Sequence, residues 1–188
     1  MLKATTHFLE EEYLPRIEKR PVHEAGWSLS YHGTTRTGKL VRASKYEDAG
    51  PFAQSLVSRA VDVIRTRYPL EAIDGIVSVP PTRSGVLVET FARQIADVLD
   101  LEYLPVLTKV RQTKEQKSLS NKIQKADNVK DAFIVQFPNQ VAGRTLLLID
   151  DIYDSGYMLR EVARTLIQAG VEAVYPLTIT RTAHSDDQ

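Results

Sequence analysis

Hydrophobic and polar positions alternate along this chain with two distinct periods. Trp27, Leu29 and Tyr31 alternate with Ser28, Ser30 and His32, the period of a half-buried strand. GTTRTG (33–38) then reads as a turn and KLVRAS (39–44) as a returning strand, predicting a hairpin. Ala53, Leu56, Val57, Ala60, Val63 and Ile64 share one helical face. From residue 72 strands and helices alternate. AIDGIVSV (72–79) is a strand ending at Pro80-Pro81, and Val88, Phe91, Ala92, Ile95 and Leu99 mark a helix. EYLPVL (102–107), interrupted by Pro105, AFIVQF (132–137) and TLLLI (145–149) are further strands. Leu159, Val162, Ala163, Leu166 and Ile167 follow helical spacing, and Gly170 is placed to end that helix. VYPLTIT (174–180) is a last strand whose Pro176 predicts an edge or a bulge.

Such alternation predicts an α/β fold, a mostly parallel central sheet flanked by helices. Residues 1–70, helical at the start and broken by Pro15, would form a small N-terminal cap of hairpin plus helix. Residues 71–188 would form the core, the whole being one compact domain. Residues 109–128 stand out as a long segment with little hydrophobic pattern. It holds six basic residues between Lys109 and Lys125 and one acid, Glu115, which fits a solvated loop, a mobile functional loop or a nucleic-acid contact.

Composition changes this picture little. The 188 residues include 43% hydrophobic and 26% charged, and Lys plus Arg equal Asp plus Glu at 24 each. No global field therefore points to nucleic acid or membrane. The absence of cysteine excludes thiolate chemistry, and no His has a partner at metal-ligand spacing. MLKATTHFLEEEYL lacks the pattern of a signal peptide and no apolar run has the length of a membrane span, so the expected compartment is the cytoplasm.

The chemistry concentrates in TLLLIDDIYDSGY (145–157). Ligands of parallel sheets bind beyond the carboxyl ends of strands, where Asp150 and Asp151 fall. Consecutive strand residues point to opposite faces, so the two carboxylates need not share one spot. As acceptors they suit a diol or magnesium-bound water. The turn Tyr153, Asp154, Ser155, Gly156, Tyr157 opens a helix whose first N–H groups, with the Ser155 hydroxyl, suit a phosphate. Diol acceptors beside phosphate donors describe a ribose 5-phosphate site. A phosphoacceptor receiver domain also pairs acids at a strand end, but most of its fold would have to follow them.

LLLIDDIYDSGYM resembles the phosphoribosyl pyrophosphate (PRPP) motif of type I phosphoribosyltransferases. VSVPPTRSG, VRQTKEQKSLS with NVKDAF, and SKYED are similar to the ComF-like branch, and related domains accompany some RecQ-type helicases. The resemblance spans roughly Trp27 to Thr182. It implies that Asp150 and Asp151 contact the ribose hydroxyls and, through water, Mg2+, and that Tyr153 to Tyr157 hold the 5-phosphate. Pro81, Thr82, Arg83 and Ser84 would form the pyrophosphate loop, with Lys109, Arg111 and Gln116 in a flexible loop over it. It implies transfer of ribose 5-phosphate from Mg·PRPP to a nucleobase-like acceptor gripped by the cap and TRTAHSDDQ, with pyrophosphate released. A PRPP-binding module without turnover, linked to DNA uptake, recombination or repair, is the alternative. Nucleic acid or DNA-processing proteins enter as partners on that alternative, and a homodimer is compatible with both.

Two departures bear on this. Many members have Thr-Thr-Gly where this chain has Asp154-Ser155-Gly156, and Met158 replaces a small hydroxyl residue. Asp154 is either the cap of the following helix or a catalytic base turned from the phosphate.

Overall fold

The computed structural model describes residues 14–33, 35–44, 50–81, 86–113 and 121–183. Strand β6 (Thr145–Tyr153) is its axis. It pairs in parallel with β3 (Gly75–Ser78) on one side and β7 (Ala173–Arg181) on the other. β2 (Gly26–Tyr31) joins β7 in parallel and the short β1 (Arg16–Ile17) closes the edge antiparallel, giving the order β1-β2-β7-β6-β3. Leu146, Leu147, Leu148 and Ile149 are all fully buried, as a strand covered on both faces requires.

The two faces carry different helices. Leu147 and Ile149 pack with residues of α2 (Gln54–Arg67) and α3 (Leu87–Leu99), among them Leu56, Ala60, Phe91 and Ile95. Leu146 and Leu148 pack with Leu159, Val162, Ala163 and Leu166 of α5 (Tyr157–Gln168). These are the helical faces that the spacing predicts, and Gly170 follows the end of α5 at φ +96°. The α/β sheet with flanking helices is as expected. No helix among the described residues is long and apolar enough to cross a membrane.

The hairpin is not formed. Arg36–Arg42 is helix α1, and β2 pairs with β7 of the main sheet instead of a returning strand. Thr35 caps α1, its hydroxyl accepting from the Gly38 N–H at 3.0 Å. Gly38 packs so closely on the turn that a Cβ would lie 2.7 Å from the Gly33 carbonyl oxygen. EYLPVL makes a single parallel bridge, Tyr103 to Ile76, before Pro105 interrupts it. Its continuation, β4 (Leu107–Lys109), pairs antiparallel with β5 (Phe133–Val135) in a separate two-stranded sheet. AFIVQF is therefore a strand, outside the main sheet.

Pro176 lies in an interior strand, contrary to the edge that it predicts. Its carbonyl faces β2, so the N–H that proline lacks is missing on that side and not from the β6 ladder. The Tyr68 hydroxyl, from the end of α2, fills the gap. It accepts from the Trp27 N–H at 2.9 Å and donates to the Pro176 carbonyl at 2.7 Å. Burial holds the phenol far above its ordinary pKa, so it stays a donor at every ordinary pH. Gly26 allows the approach: a Cβ there would lie 1.9 Å from the Pro176 oxygen.

Tyr68→Phe leaves both backbone groups unpaired at the β2–β7 seam. It is expected to lower stability by about 1–3 kcal/mol, read as a reduced midpoint at unchanged slope in urea unfolding.

Candidate functional site

The carboxyl end of β6 carries Asp150, Asp151 and the turn that follows them. β6 does not stop at Ile149; it carries Asp150 and Asp151 within the strand, Asp150 in register with Thr178. Alternation along β6 sets the two carboxylates toward opposite faces. Asp150 is half-buried, and Asp151 is 7% exposed. The Asp150 Oδ1 accepts the N–H of Asp151 at 2.8 Å, fixing one carboxylate against the backbone of the other. From β7, Thr180 Oγ1 donates to the Asp151 carbonyl at 3.2 Å. Thr178 shares a 2.6 Å hydroxyl–hydroxyl bond with Ser28 of β2. Buried hydroxyls thus brace the main chain that presents the acids.

The turn after β6 has the local geometry of a phosphate cradle. Gly156 sits at φ +72° as the N-cap of α5, and being glycine it offers no side-chain cap. A Cβ on it would meet the Tyr153 hydroxyl at 2.7 Å, because the Tyr153 ring lies over the turn. The Ser155 hydroxyl is buried without a hydrogen-bond partner among the described residues. It stands beside first-turn N–H groups that no helical carbonyl reaches. Met158 packs partly buried against the core beneath α5.

Asp154 does not cap α5, since Gly156 holds that position. Its Oδ2 accepts from Lys125 Nζ at 3.0 Å. Among the described residues, two further cations flank the turn. Arg160 donates to the Gly156 carbonyl at 3.3 Å and stacks 4.4 Å from the Tyr157 ring centre, and Arg181 lies 5.4 Å from that of Tyr153.

At the neighbouring strand, Val79 N–H donates to the Ile149 carbonyl at 2.9 Å and Pro81 is exposed just beyond. Thr82, Arg83 and Ser84 lie outside the described residues, as do Gln116 and residues 45–48 of SKYED.

Residues 114–120 of the basic segment lie outside the described residues, but its last part is more structured than its pattern predicts. Residues Lys122–Val129 form helix α4, capped by Asn121, whose side chain accepts from the Gln124 N–H at 2.8 Å. Asn followed three residues later by Gln is the signal that could have found it. Arg111 Nη2 donates to the carbonyls of Asp127, Asn128 and Lys130 at 3.2, 3.1 and 2.6 Å, closing the end of α4. Lys109 is on β4, its ammonium donating to Thr113 Oγ1 at 2.6 Å; burial, then Arg111, holds its pKa below the ordinary value. Beyond α4, Asp131 adopts φ +54° and its N–H donates to Glu161 Oε1 at 2.7 Å. Arg164 ties Glu161 to the Asp131 carboxylate, and these acids raise its own pKa. Arg111 thus anchors the end of α4, while Lys109 bonds within the segment that leaves β4.

The family model described as phosphoribosyl transferase domain matches residues 43–185. The DNA utilization protein YhgH of Escherichia coli (strain K12) is 31% identical over 154 residues, 77% of this chain and 65% of that protein. The protein of that name from Salmonella typhimurium is 29% identical over 154 residues, 77% of this chain and 64% of that protein. This chain thus spans just under two thirds of the length of these curated relatives. Among solved structures, glutamine PRPP amidotransferase from B. subtilis, complexed with ADP and GMP, superposes with a TM-score of 0.51 at 18% identity, over 83% of this chain and 33% of that chain. Adenine phosphoribosyltransferase from Saccharomyces cerevisiae gives 0.50 at 16% identity, over 95% of this chain and 89% of that one. Both likenesses are of fold.

Arg111→Met removes the guanidinium nitrogen that serves three carbonyls at the end of α4. Hydrogen exchange of amides 122–130 is expected to accelerate by about tenfold or more, with β6 amides unaffected.

Proposed function

We propose that this chain, which belongs to the phosphoribosyl transferase domain family, binds Mg·PRPP and transfers its ribose 5-phosphate to the nitrogen of a nucleobase-like acceptor. The observation that carries this reading is the Ser155 hydroxyl, buried without a partner in the turn that follows two strand-end carboxylates. A hydroxyl in that state has an uncompensated desolvation cost, which a phosphate oxygen would relieve. On this reading Tyr153, Asp154, Ser155, Gly156 and Tyr157 surround the 5-phosphate. Asp150 and Asp151 accept from the ribose hydroxyls, and the loop from Pro81 through Thr82, Arg83 and Ser84 takes the pyrophosphate.

Magnesium fits this donor set as a shared ion. No group of three or more His, Asp or Glu among the described residues makes a cage. A carboxylate pair suits a hydrated ion whose remaining ligands come from the substrate. Asp150 and Asp151 would hold it through water, and the ion would neutralise charge building on the pyrophosphate. In the transfer the bond from C1 to the pyrophosphate oxygen breaks and a bond from C1 to the acceptor nitrogen forms. That nitrogen gives up its proton to water. The chain's contribution is positioning: the carboxylates fix the ribose hydroxyls while the turn fixes the far end of the sugar. Braced main chain around Asp151 supports such a role, since a misplaced ribose would misalign C1.

A second reading has its own observation. Met158 stands where family members place a small hydroxyl residue, and its thioether side chain packs partly buried against the core. One phosphate donor is thereby lost, which favours a PRPP-binding module without turnover. The relatives named for DNA utilization fit this module, with DNA-processing proteins as its partners.

Isothermal titration of Mg·PRPP is expected to show saturable binding to the wild type. Asp150→Asn with Asp151→Asn should reduce the affinity by about tenfold or more. Equal affinities in both proteins would remove the carboxylates from the site. Pyrophosphate release from PRPP across purines and pyrimidines separates the readings, and its absence with every base selects the module.

A further inference from the structure

We propose that Lys125 is a binding residue for the phosphate on the sugar's 5-carbon, a role that rests on the PRPP reading above. The turn from Tyr153 to Tyr157 has one charged side chain, and it carries the wrong sign. Asp154 next to a phosphate repels it, and Met158 supplies no donor in compensation. A cation from another element would offset that repulsion.

Among the described residues, three cations flank the turn, and they are not equivalent. Arg160 is held on the Gly156 carbonyl and the Tyr157 ring, and Arg181 lies over the Tyr153 ring. Lys125 alone among them is ion-paired with the turn's own acid, at 3.0 Å. The side chains of Lys125 and Asp154 are 20% and 26% exposed, so the pair is sheltered yet reachable. An ammonium has three N–H donors and can serve a carboxylate and a phosphate oxygen together. Lys125 therefore cancels the repulsion from Asp154 and supplies the donor that Met158 does not.

The helix that delivers it is anchored independently of any ligand. Asn121 caps its start, Arg111 closes its end, and the Asp131–Glu161–Arg164 network ties the following turn to α5. Lys125 is thus carried on a helix fixed to the same helix, α5, whose first turn faces the phosphate. The ligand class is a phosphomonoester on a sugar.

The two partners of the ion pair give the test, because binding and clamping predict different signs. Ribose 5-phosphate and Mg·PRPP are titrated against wild type, Lys125→Met, Lys125→Arg and Asp154→Asn, with melting curves to establish that each is folded. Lys125→Met is expected to lose about tenfold in affinity for both ligands, and Lys125→Arg to stay within about threefold of wild type. Asp154→Asn is expected to bind both more tightly, by about threefold, through loss of a repelling charge. A salt bridge that only holds the turn in shape would make Lys125→Met and Asp154→Asn weaken binding alike, and that result overturns the proposal. So does Lys125→Met binding within about twofold of wild type. A wild type that binds neither ligand sinks the PRPP reading itself, which distinguishes that failure from the other two.

Discussion

The structure depends on one strand being buried on both faces and paired along both edges. β6 has neighbours in parallel register on each side, and its four consecutive apolar residues reach different helices through alternate side chains. A strand so confined has almost no freedom of register, since a slip of one residue would exchange its two sets of leucines. That fixity extends two residues further, to Asp150 and Asp151. Charges that would be costly inside the apolar run come where the run reaches the open edge of the sheet.

The surrounding polar groups follow from this placement. Parallel strands leave the carboxyl edge lined with main chain, and here the hydroxyls of Ser28, Thr178 and Thr180 occupy positions that would otherwise be apolar. Each finds a partner in the neighbouring strand, so the ends of β2, β7 and β6 act as a single braced rim. The turn after β6 is built differently. Its conformation comes from Gly156 and the Tyr153 ring, and its charge balance from a helix nearly thirty residues earlier in the chain. Geometry there is local, whereas electrostatics is tertiary.

This division accounts for what could be read from the sequence. TLLLI and the spacing of Leu159, Val162 and Leu166 are periodic over enough residues to name a strand and a helix, and both elements form. The segment 39–44 is too short for that test. Val41 alone of its apolar residues is deeply buried, so the Thr35 cap and the close packing of Gly38 decide for helix. Helix α4 escaped because its exposed face, including Ile123, blurs the period. The cap reading of Asp154 drew on its neighbours in sequence, and Gly156 takes that place instead. The ion pair of Asp154 with Lys125 is a contact that only the fold creates. Pro176 misled for a related reason. The rule that confines proline to edges assumes that the missing bond goes unreplaced, and no local pattern announces a tyrosine hydroxyl from another helix.

That proline has a consequence for the path to the native state. An extended strand that waits for its neighbour exposes a row of donors and acceptors to any other chain. On the side that will receive β2, β7 has no donor at residue 176, and its acceptor there is claimed by Tyr68 only once α2 has docked. A foreign strand arriving early meets an interrupted ladder, while the native strand arrives with Gly26 shaped to pass the obstruction. The seam between β2 and β7 thus works as a keyed lock, complete only when the strand, the proline and the helix's tyrosine meet.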